Sequence, residues 1–176
     1  ASSQVGPCSC GVNTLVRQSF AGHFFSFDVN AAGPGVHAFL CDFLTGPKAH
    51  IYGVDIDPRA LHFHAPEKHV HVLIGDQGDE VFLASLCTTI GRVDIVLDDG
   101  SHYNEHQKQL FEALVTKGRC LNMKEGVFAV EDVTTSYMPR FGGGLRAPPS
   151  FVEFAKAKVD ELNAFWSSPT ANVCRG

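Results

Sequence analysis

The feature that most constrains the fold of this chain is the regular alternation of short apolar runs with amphipathic stretches. Five apolar runs have the length and composition of buried strands: residues 24–29, 51–55, 70–75, 93–97 and 126–130. The stretch after the third run places apolar residues on one helical face, at Phe82, Leu83, Leu86 and Ile90. Strands that alternate with helices pair in parallel, so we predict an α/β fold with a doubly wound, mostly parallel sheet.

The bulk composition favours one domain and excludes several classes of function. The chain has 176 residues, of which 44% are hydrophobic, enough for one core. The net charge is −5 with scattered Lys and Arg, and no apolar run reaches the roughly 18 residues of a membrane span, so neither a nucleic-acid partner nor a membrane is predicted. Residues 1–22, rich in Ser, Gly and Cys, are predicted to be an N-terminal extension to a domain of residues 23–176.

The six cysteines indicate the redox environment. They lie at positions 8, 10, 41, 87, 120 and 174. Four are far apart in or beside apolar stretches, which is typical of reduced thiols and predicts a cytoplasmic protein. Cys8 and Cys10 form the one close pair, and because two thiols supply only half of a zinc site, a metal role there is the less favoured interpretation.

Polar residues at the strand ends are the candidates for chemistry, because ligands of such sheets bind beyond the carboxyl ends of the strands. Asp28 ends the first run and leads into a loop with Gly33 and Gly35, which would let a ligand approach the backbone or would simply make a tight turn. Asp55 ends the second run, where an acid bonds ribose hydroxyls in nucleotide-binding folds; the alternative is a solvated loop acid.

The third run ends in a polar segment with two separate roles. Asp76 or Gln77 is placed to contact an adenine edge or a ribose. Asp79 is instead predicted to cap the helix that follows.

The fourth and fifth runs each end in a pair of acids, which is the sharpest feature of the sequence. Asp98 and Asp99 follow one run, and Glu131 and Asp132 follow the next. Adjacent carboxylates repel each other unless a cation offsets them, and hard oxygen ligands suit Mg²⁺, Mn²⁺ or Ca²⁺. The alternative is that these acids are independent caps and solvated turns.

Histidines follow two patterns. His102 lies just after the acid pair, where a group of near-neutral pKa would suit proton abstraction from a hydroxyl. A second set alternates along a loop and a strand and is better explained as a half-exposed strand face than as a metal site: His62, His64, His69 and His71.

Four stretches together carry a family likeness. They are residues 98–102 (Asp-Asp-Gly-Ser-His), 127–137 (Val-Phe-Ala-Val-Glu-Asp-Val-Thr-Thr-Ser-Tyr), 141–146 (Phe-Gly-Gly-Gly-Leu-Arg) and 159–163 (Val-Asp-Glu-Leu-Asn). With them the chain resembles, over about residues 24–166, the macrocin and mycinamicin sugar O-methyltransferases, to which cephalosporin hydroxylase-like proteins are related.

The resemblance implies a Rossmann-like class I methyltransferase-like domain that uses S-adenosyl-L-methionine and Mg²⁺ (or Mn²⁺) to methylate a hydroxyl of a sugar or glycosylated small molecule. It implies metal ligation by Asp99, Glu131 and Asp132 and a general base at His102. The cofactor-binding residues would be Asp28, Gly33, Gly35, Asp55, Asp76, Gln77 and Asp98. Tyr137 and Arg146, in a loop of residues 134–146, would face the acceptor.

Departures from the family pattern support an alternative, a catalytically impaired methyltransferase-like module for binding or assembly. Asn30 stands where the first glycine is expected, and Pro34 separates the later glycines. The usual C-terminal edge strands are also predicted to be missing, which would expose apolar sheet surface and favour a homo-oligomer. A nicotinamide-dependent oxidoreductase would not explain the paired acids, and a metal-dependent hydrolase would leave Asp55 without a role.

Overall fold

The computed structural model describes residues 23–27 and 49–166, and five strands lie within them. They are β1 (His23–Phe27), β2 (His50–Asp55), β3 (Val70–Ile74), β4 (Ile95–Asp98) and β5 (Val127–Val130). All neighbouring pairs are parallel, and the order across the sheet is β3-β2-β1-β4-β5. This order reverses direction between β1 and β4, as in Rossmann-like folds, so the predicted doubly wound α/β fold is confirmed.

Within the described residues, three α-helices connect or follow these strands. They are α1 (Glu80–Ile90), α2 (Asn104–Phe111), which continues as a π-helical segment Glu112–Lys117, and α3 (Phe151–Asn163). Asp79 caps α1 as predicted, because its carboxylate accepts hydrogen bonds from the backbone N–H groups of Val81 and Phe82. The hydroxyl of Ser150 likewise accepts from Glu153 N and caps α3.

The main core lies between the sheet and the first two helices. Its sheet side is formed by the fully buried Phe25, Val54 and Val96. The helices cover them with Leu83, Leu86, Ile90, Leu110 and Leu114. Burying a side chain of this size stabilises a fold by about 1.5–3 kcal/mol, so this cluster anchors the strands whose ends carry the polar residues.

The apolar residues on one face of α3 and the turn after it are only partly buried within the described residues. Phe151 at its start is buried, but Val159, Leu162 and Trp166 are 56%, 81% and 82% exposed. The helical spacing of apolar residues along α3 therefore agrees with a helix, but it does not show which of these side chains are buried. The described helices include none with the length and hydropathy of a membrane span.

The prediction of reduced thiols is wrong for one pair of cysteines. Cys87, in the last turn of α1, forms a disulfide bond with Cys120, 33 positions later, and their Cα atoms are 5.5 Å apart. Cys120 precedes Leu121, which pairs with Val93 at the entry to β4, so the fold brings together two cysteines that are distant in sequence. Disulfides are rare in the cytosol, and the predicted cytoplasmic location loses its support from the thiols.

Several predicted features lie outside the described residues. They are the N-terminal extension, the loop with Asp28, Gly33 and Gly35, and the cysteines at 8, 10, 41 and 174. The domain boundary at residue 23 and the missing edge strands stay predictions.

Removing the disulfide is expected to lower stability. A bond that closes a loop of this length stabilises a fold by about 3–4 kcal/mol, mainly by restricting the unfolded chain, so a double Cys87→Ser, Cys120→Ser variant should melt roughly 10 °C lower. Thermal unfolding under non-reducing conditions measures this difference. Reduction of the wild-type protein should abolish it, and equal melting temperatures without reductant would contradict the bond.

Candidate active site at the carboxyl ends of β4 and β5

The register of the sheet brings the ends of the central strands to one edge. Phe27 of β1 pairs with Asp98 of β4, and Asp98 pairs with Val130 of β5. The backbone N–H of Glu131 then donates to the Asp98 carbonyl at 2.8 Å. The residues that follow β4 and β5 therefore lie beside the point where the strand order reverses, which is where such folds bind ligands.

Three of the predicted residues come together there. Asp99, His102 and Asp132 each offer one ligand atom, and these atoms all lie within 4.8 Å of one another. The His102 Nε2 and Asp132 Oδ2 atoms are 3.9 Å apart. Two carboxylates and an imidazole on a partly exposed rim are a donor set that fits a divalent cation such as Mg²⁺ or Mn²⁺.

The backbone conformations of two of these residues are unusual. His102 and Asp132 have φ values of 59° and 49°, in the left-handed region that few non-glycine residues adopt. Such conformations cost free energy and persist where the surrounding structure enforces them, commonly at functional sites. Here they turn the two side chains toward each other from separate strand ends.

Glu131 does not join this group. Its side chain is exposed, and it is absent from the cluster of ligand atoms within the described residues. Asp132 joins the cluster and Glu131 does not, although the sequence predicted both as adjacent ligands.

The two acids after β4 also differ in where their side chains lie. Asp98 is buried and accepts hydrogen bonds from the Gln77 side chain at 2.8 Å and from Gly100 N at 3.3 Å. Burial raises the pKa of Asp98 above the usual range of an aspartate, and the bonds from Gly100 and Gln77 oppose this rise. Asp98 Oδ2 has no hydrogen-bond partner among the described residues. Asp98 thus points into the protein, and Asp99 points to the rim.

Gln77 connects two of the predicted loops. Its amide nitrogen donates to Asp98, and its amide oxygen accepts from Ser101 N at 2.8 Å. The Gln77 side chain thus links the loop after β3 to the turn after β4. A contact with the cofactor, as predicted, would compete with these two hydrogen bonds. Ser101 Oγ is also 2.8 Å from His106 Nδ1, which holds that turn against α2.

The other cofactor candidates within the described residues are more accessible. Asp55 is half-buried at the end of β2 and accepts a hydrogen bond from Asp57 N at 2.8 Å. Asp76 is exposed and accepts one from Gly78 N at the same distance. Both carboxylates stand at the carboxyl edge of the sheet, on the opposite side of β1 from the His102 cluster.

The predicted acceptor residues lie on the segment between β5 and α3. Tyr137 is half exposed at the end of a 3₁₀ turn, and Arg146 is exposed with φ 56°. Sequence reasoning missed Asn104, a fully buried residue that contacts this segment. Its one sequence signal was an amide at the start of a helix, which predicts a cap and not a tertiary bridge.

This chain is similar in sequence to known O-methyltransferases. Demethylmacrocin O-methyltransferase of Streptomyces fradiae is 42% identical over 93 residues, which is 53% of this chain and 22% of that protein. The 8-demethyl-8-α-L-rhamnosyl tetracenomycin-C 2'-O-methyltransferase of Streptomyces olivaceus is 40% identical over 114 residues, 64% of this chain and 28% of that protein. No family model matches the chain.

A solved structure extends the match to most of the fold. The MycE methyltransferase of the mycinamycin biosynthetic pathway, in complex with Mg and SAH, aligns with a TM-score of 0.75 at 27% identity, over 90% of this chain and 40% of that one. This chain is related to the macrocin and mycinamicin sugar O-methyltransferases. The predicted family resemblance is confirmed, although the chain spans only 22% and 28% of the lengths of the two curated relatives above.

The buried carboxyl of Asp98 gives a test of this geometry. An acid whose pKa is raised by folding stabilises the fold fully below its unfolded pKa, and this stabilisation is lost as pH rises through the folded pKa. Asp98→Asn should therefore raise the free energy of unfolding of the ligand-free protein at pH 7.5 by about 1–3 kcal/mol.

Urea unfolding at several pH values measures this effect, and the gain should shrink toward about pH 3, below the ordinary pKa of an aspartate, where the wild-type carboxyl is mostly neutral in both states. Asp160→Asn, on the exposed side of α3, serves as the control. A variant that is less stable than wild type at neutral pH would contradict the assignment.

Proposed function

We propose that this chain carries the catalytic centre of an S-adenosylmethionine-dependent, divalent-metal-assisted O-methyltransferase that acts on a hydroxyl of a sugar or glycosylated small molecule. The observation that carries the proposal is the cluster of Asp99, His102 and Asp132 at the strand-order reversal of a chain related to sugar O-methyltransferases. MycE, which shares this fold, was solved with Mg, SAH and mycinamycin VI.

In this proposal the two sides of β1 have different roles. Asp55 and Asp76, at the ends of β2 and β3, would contact the cofactor together with Asp28, Gly33 and Gly35. The hydrogen-bonded pair of Gln77 and Asp98 would form the inner wall of the site. An acid at the end of the second strand suits ribose hydroxyls. The acceptor would enter from the side of β5, past Tyr137 and Arg146.

Asp99 and Asp132 would hold the metal ion, with Glu131 beside them as an additional ligand only after its side chain turns. Mg²⁺, when bound, would supply Lewis acidity that lowers the pKa of an acceptor hydroxyl and orients it.

His102 would act as the general base. Its Nε2 faces Asp132 and would accept the proton of the acceptor hydroxyl. The acceptor oxygen would then bond to the methyl carbon of the cofactor as the methyl–sulfur bond breaks and S-adenosylhomocysteine leaves. The charge of the resulting imidazolium is offset by Asp132 at 3.9 Å. Holding the oxygen, base and methyl donor in one geometry would supply much of the rate.

The other functional expectations remain part of the proposal. The acceptor is a small molecule; no nucleic acid and no membrane is expected as a partner, a homo-oligomer is expected, and the location is proposed to be cytoplasmic. The names of the Streptomyces olivaceus relatives include rhamnosyl groups, which makes an L-rhamnoside a suitable model acceptor.

A cofactor titration decides between an active enzyme and the alternative of a binding module. Calorimetry with S-adenosylmethionine, with and without Mg²⁺, should detect binding, and methyl transfer to methyl α-L-rhamnopyranoside and larger glycosides should then depend on Mg²⁺. Absence of cofactor binding in both conditions would overturn the proposal and favour the catalytically impaired module.

Replacement of the proposed base should separate chemistry from binding. His102→Ala is expected to lower kcat by about 10²–10⁴-fold, the usual contribution of general-base catalysis, while the Kd of S-adenosylhomocysteine stays within twofold. Steady-state kinetics and calorimetry measure the two effects. His62→Ala, at an exposed position between β2 and β3, is the control, and near wild-type kcat in His102→Ala would refute the role of base.

The metal assignment can be tested residue by residue. Asp132→Asn should raise the Mg²⁺ concentration needed for half-maximal activity by at least about tenfold, because it removes a charged ligand from the cluster. Glu131→Gln should have a smaller effect, because the Glu131 side chain lies outside the cluster. Mg²⁺ titrations of activity compare the variants, and a larger effect at Glu131 would reverse this order.

A further inference from the structure

Asn104 is the most connected buried side chain near the candidate site. It is the first residue of α2, two residues after His102, and it is 1% exposed. Its amide nitrogen donates to the carbonyls of Phe141 at 2.8 Å and Thr135 at 3.4 Å. Its amide oxygen accepts from the Ser136 hydroxyl at 2.8 Å and from Phe151 N at 2.7 Å. Both ends of the amide are therefore fully used.

The four partners belong to two turns of the segment that we call the acceptor loop, residues 133–149, and to the helix after it. Thr135 and Ser136 lie in the 3₁₀ turn directly after Asp132, and Phe141 ends the next turn. Phe151 is the first residue of α3. One side chain thus joins the start of the helix that follows His102 to the segment that begins beside a proposed metal ligand.

The loop also has internal contacts that make it a unit. Gly144 N donates to the Ser136 carbonyl at 2.9 Å, and Gly143 N donates to the Met138 carbonyl at 3.0 Å. A Cβ atom at Gly143 would lie 2.3 Å from the Ser136 carbonyl oxygen, so the packing requires glycine there. The Asn104 bonds therefore add to these internal contacts and tie the loop to the start of α2.

The loop reaches the proposed base through Phe141. The rings of Phe141 and His102 are 6.4 Å apart in an edge-on arrangement, and those of Phe141 and Tyr103 are 5.6 Å apart. Because Asn104 binds the Phe141 carbonyl, the position of this ring relative to His102 depends on the Asn104 amide.

We propose that Asn104 is a positioning residue that fixes the acceptor loop, with Phe141, against His102, so that the acceptor hydroxyl meets the base in one geometry. This inference rests on the proposed function. An amide suits the task because it donates and accepts without adding charge beside the metal ligands, and loss of either end leaves buried groups unpaired.

The same helix supplies a matched control. Gln107 lies one turn after Asn104, is equally buried and carries the same amide group. Neither its side-chain nitrogen nor its oxygen has a hydrogen-bond partner among the described residues. Replacement of Gln107 by the similarly shaped Met changes burial and helix packing as Asn104→Leu does, without removing a bond to the loop.

The experiment compares Asn104→Leu with Gln107→Met in the full chain. Steady-state kinetics use methyl α-L-rhamnopyranoside as acceptor, calorimetry measures the Kd of S-adenosylhomocysteine, and hydrogen exchange reports on residues 133–149. Asn104→Leu should lower kcat/KM for the acceptor by about 10–100-fold, as expected for a small misplacement of reacting groups. Exchange in the loop should increase at least about tenfold, which is the effect of losing one to two hydrogen bonds.

The control and the cofactor readout distinguish positioning from general instability. Gln107→Met should retain wild-type kinetics and loop exchange, and both variants should bind S-adenosylhomocysteine within twofold of wild type. A loss of acceptor turnover that is matched by an equal loss of cofactor binding, or wild-type loop exchange in Asn104→Leu, would overturn the inference.

A milder variant covers the case in which Asn104→Leu does not fold. Ser136→Ala removes one of the four bonds to Asn104, together with the longer bond that Val152 N donates to the Ser136 hydroxyl. It should shift loop exchange and kcat/KM in the same direction by about threefold to tenfold, a typical effect of one to two hydrogen bonds. Unchanged values would also overturn the inference. If the wild-type protein transfers no methyl group, the proposed function fails, and loop exchange still decides whether Asn104 fixes the loop.

Discussion

The parallel pairing of β1 with β4 is the constraint on which the rest of this structure depends. It reverses the strand order at the middle of the sheet and sets Phe27, Asp98 and Val130 side by side at one edge. The buried contacts of Phe25, Val54 and Val96 with α1 and α2 hold this register, because a slip of one residue would exchange the faces of every side chain. The candidate site is therefore a consequence of core packing several residues away.

The arrangement of the strand ends also reduces the repulsion between the paired acids. In each pair one residue turns away from the rim: Asp98 into the protein and Glu131 into solvent. What remains at the rim is Asp99 and Asp132 with His102 between the two strand ends. The repulsion that the sequence predicted among four carboxylates is thus reduced before any cation binds, and a metal ion has two acids to neutralise in place of four.

The sequence predicted the local features well because local physics determines them. Strand periodicity, the cap at Asp79 and the placement of acids at strand ends were all readable from short stretches. The failures involve contacts between distant segments. The disulfide of Cys87 with Cys120 joins residues 33 positions apart, and a buried amide such as Asn104 has no sequence pattern that distinguishes it from a helix cap.

Two buried amides hold the segment from Asp98 to Asn104, one from each side. Gln77 binds Asp98 and Ser101 from the loop after β3, the side proposed for the cofactor. Asn104 binds the segment after β5, the side proposed for the acceptor. A carboxylate in either position would add repulsion beside Asp99, and a cation would compete with the metal, whereas an amide contributes direction without charge. The strained backbone at His102 lies between these two fixed points, which explains how a left-handed histidine can persist there.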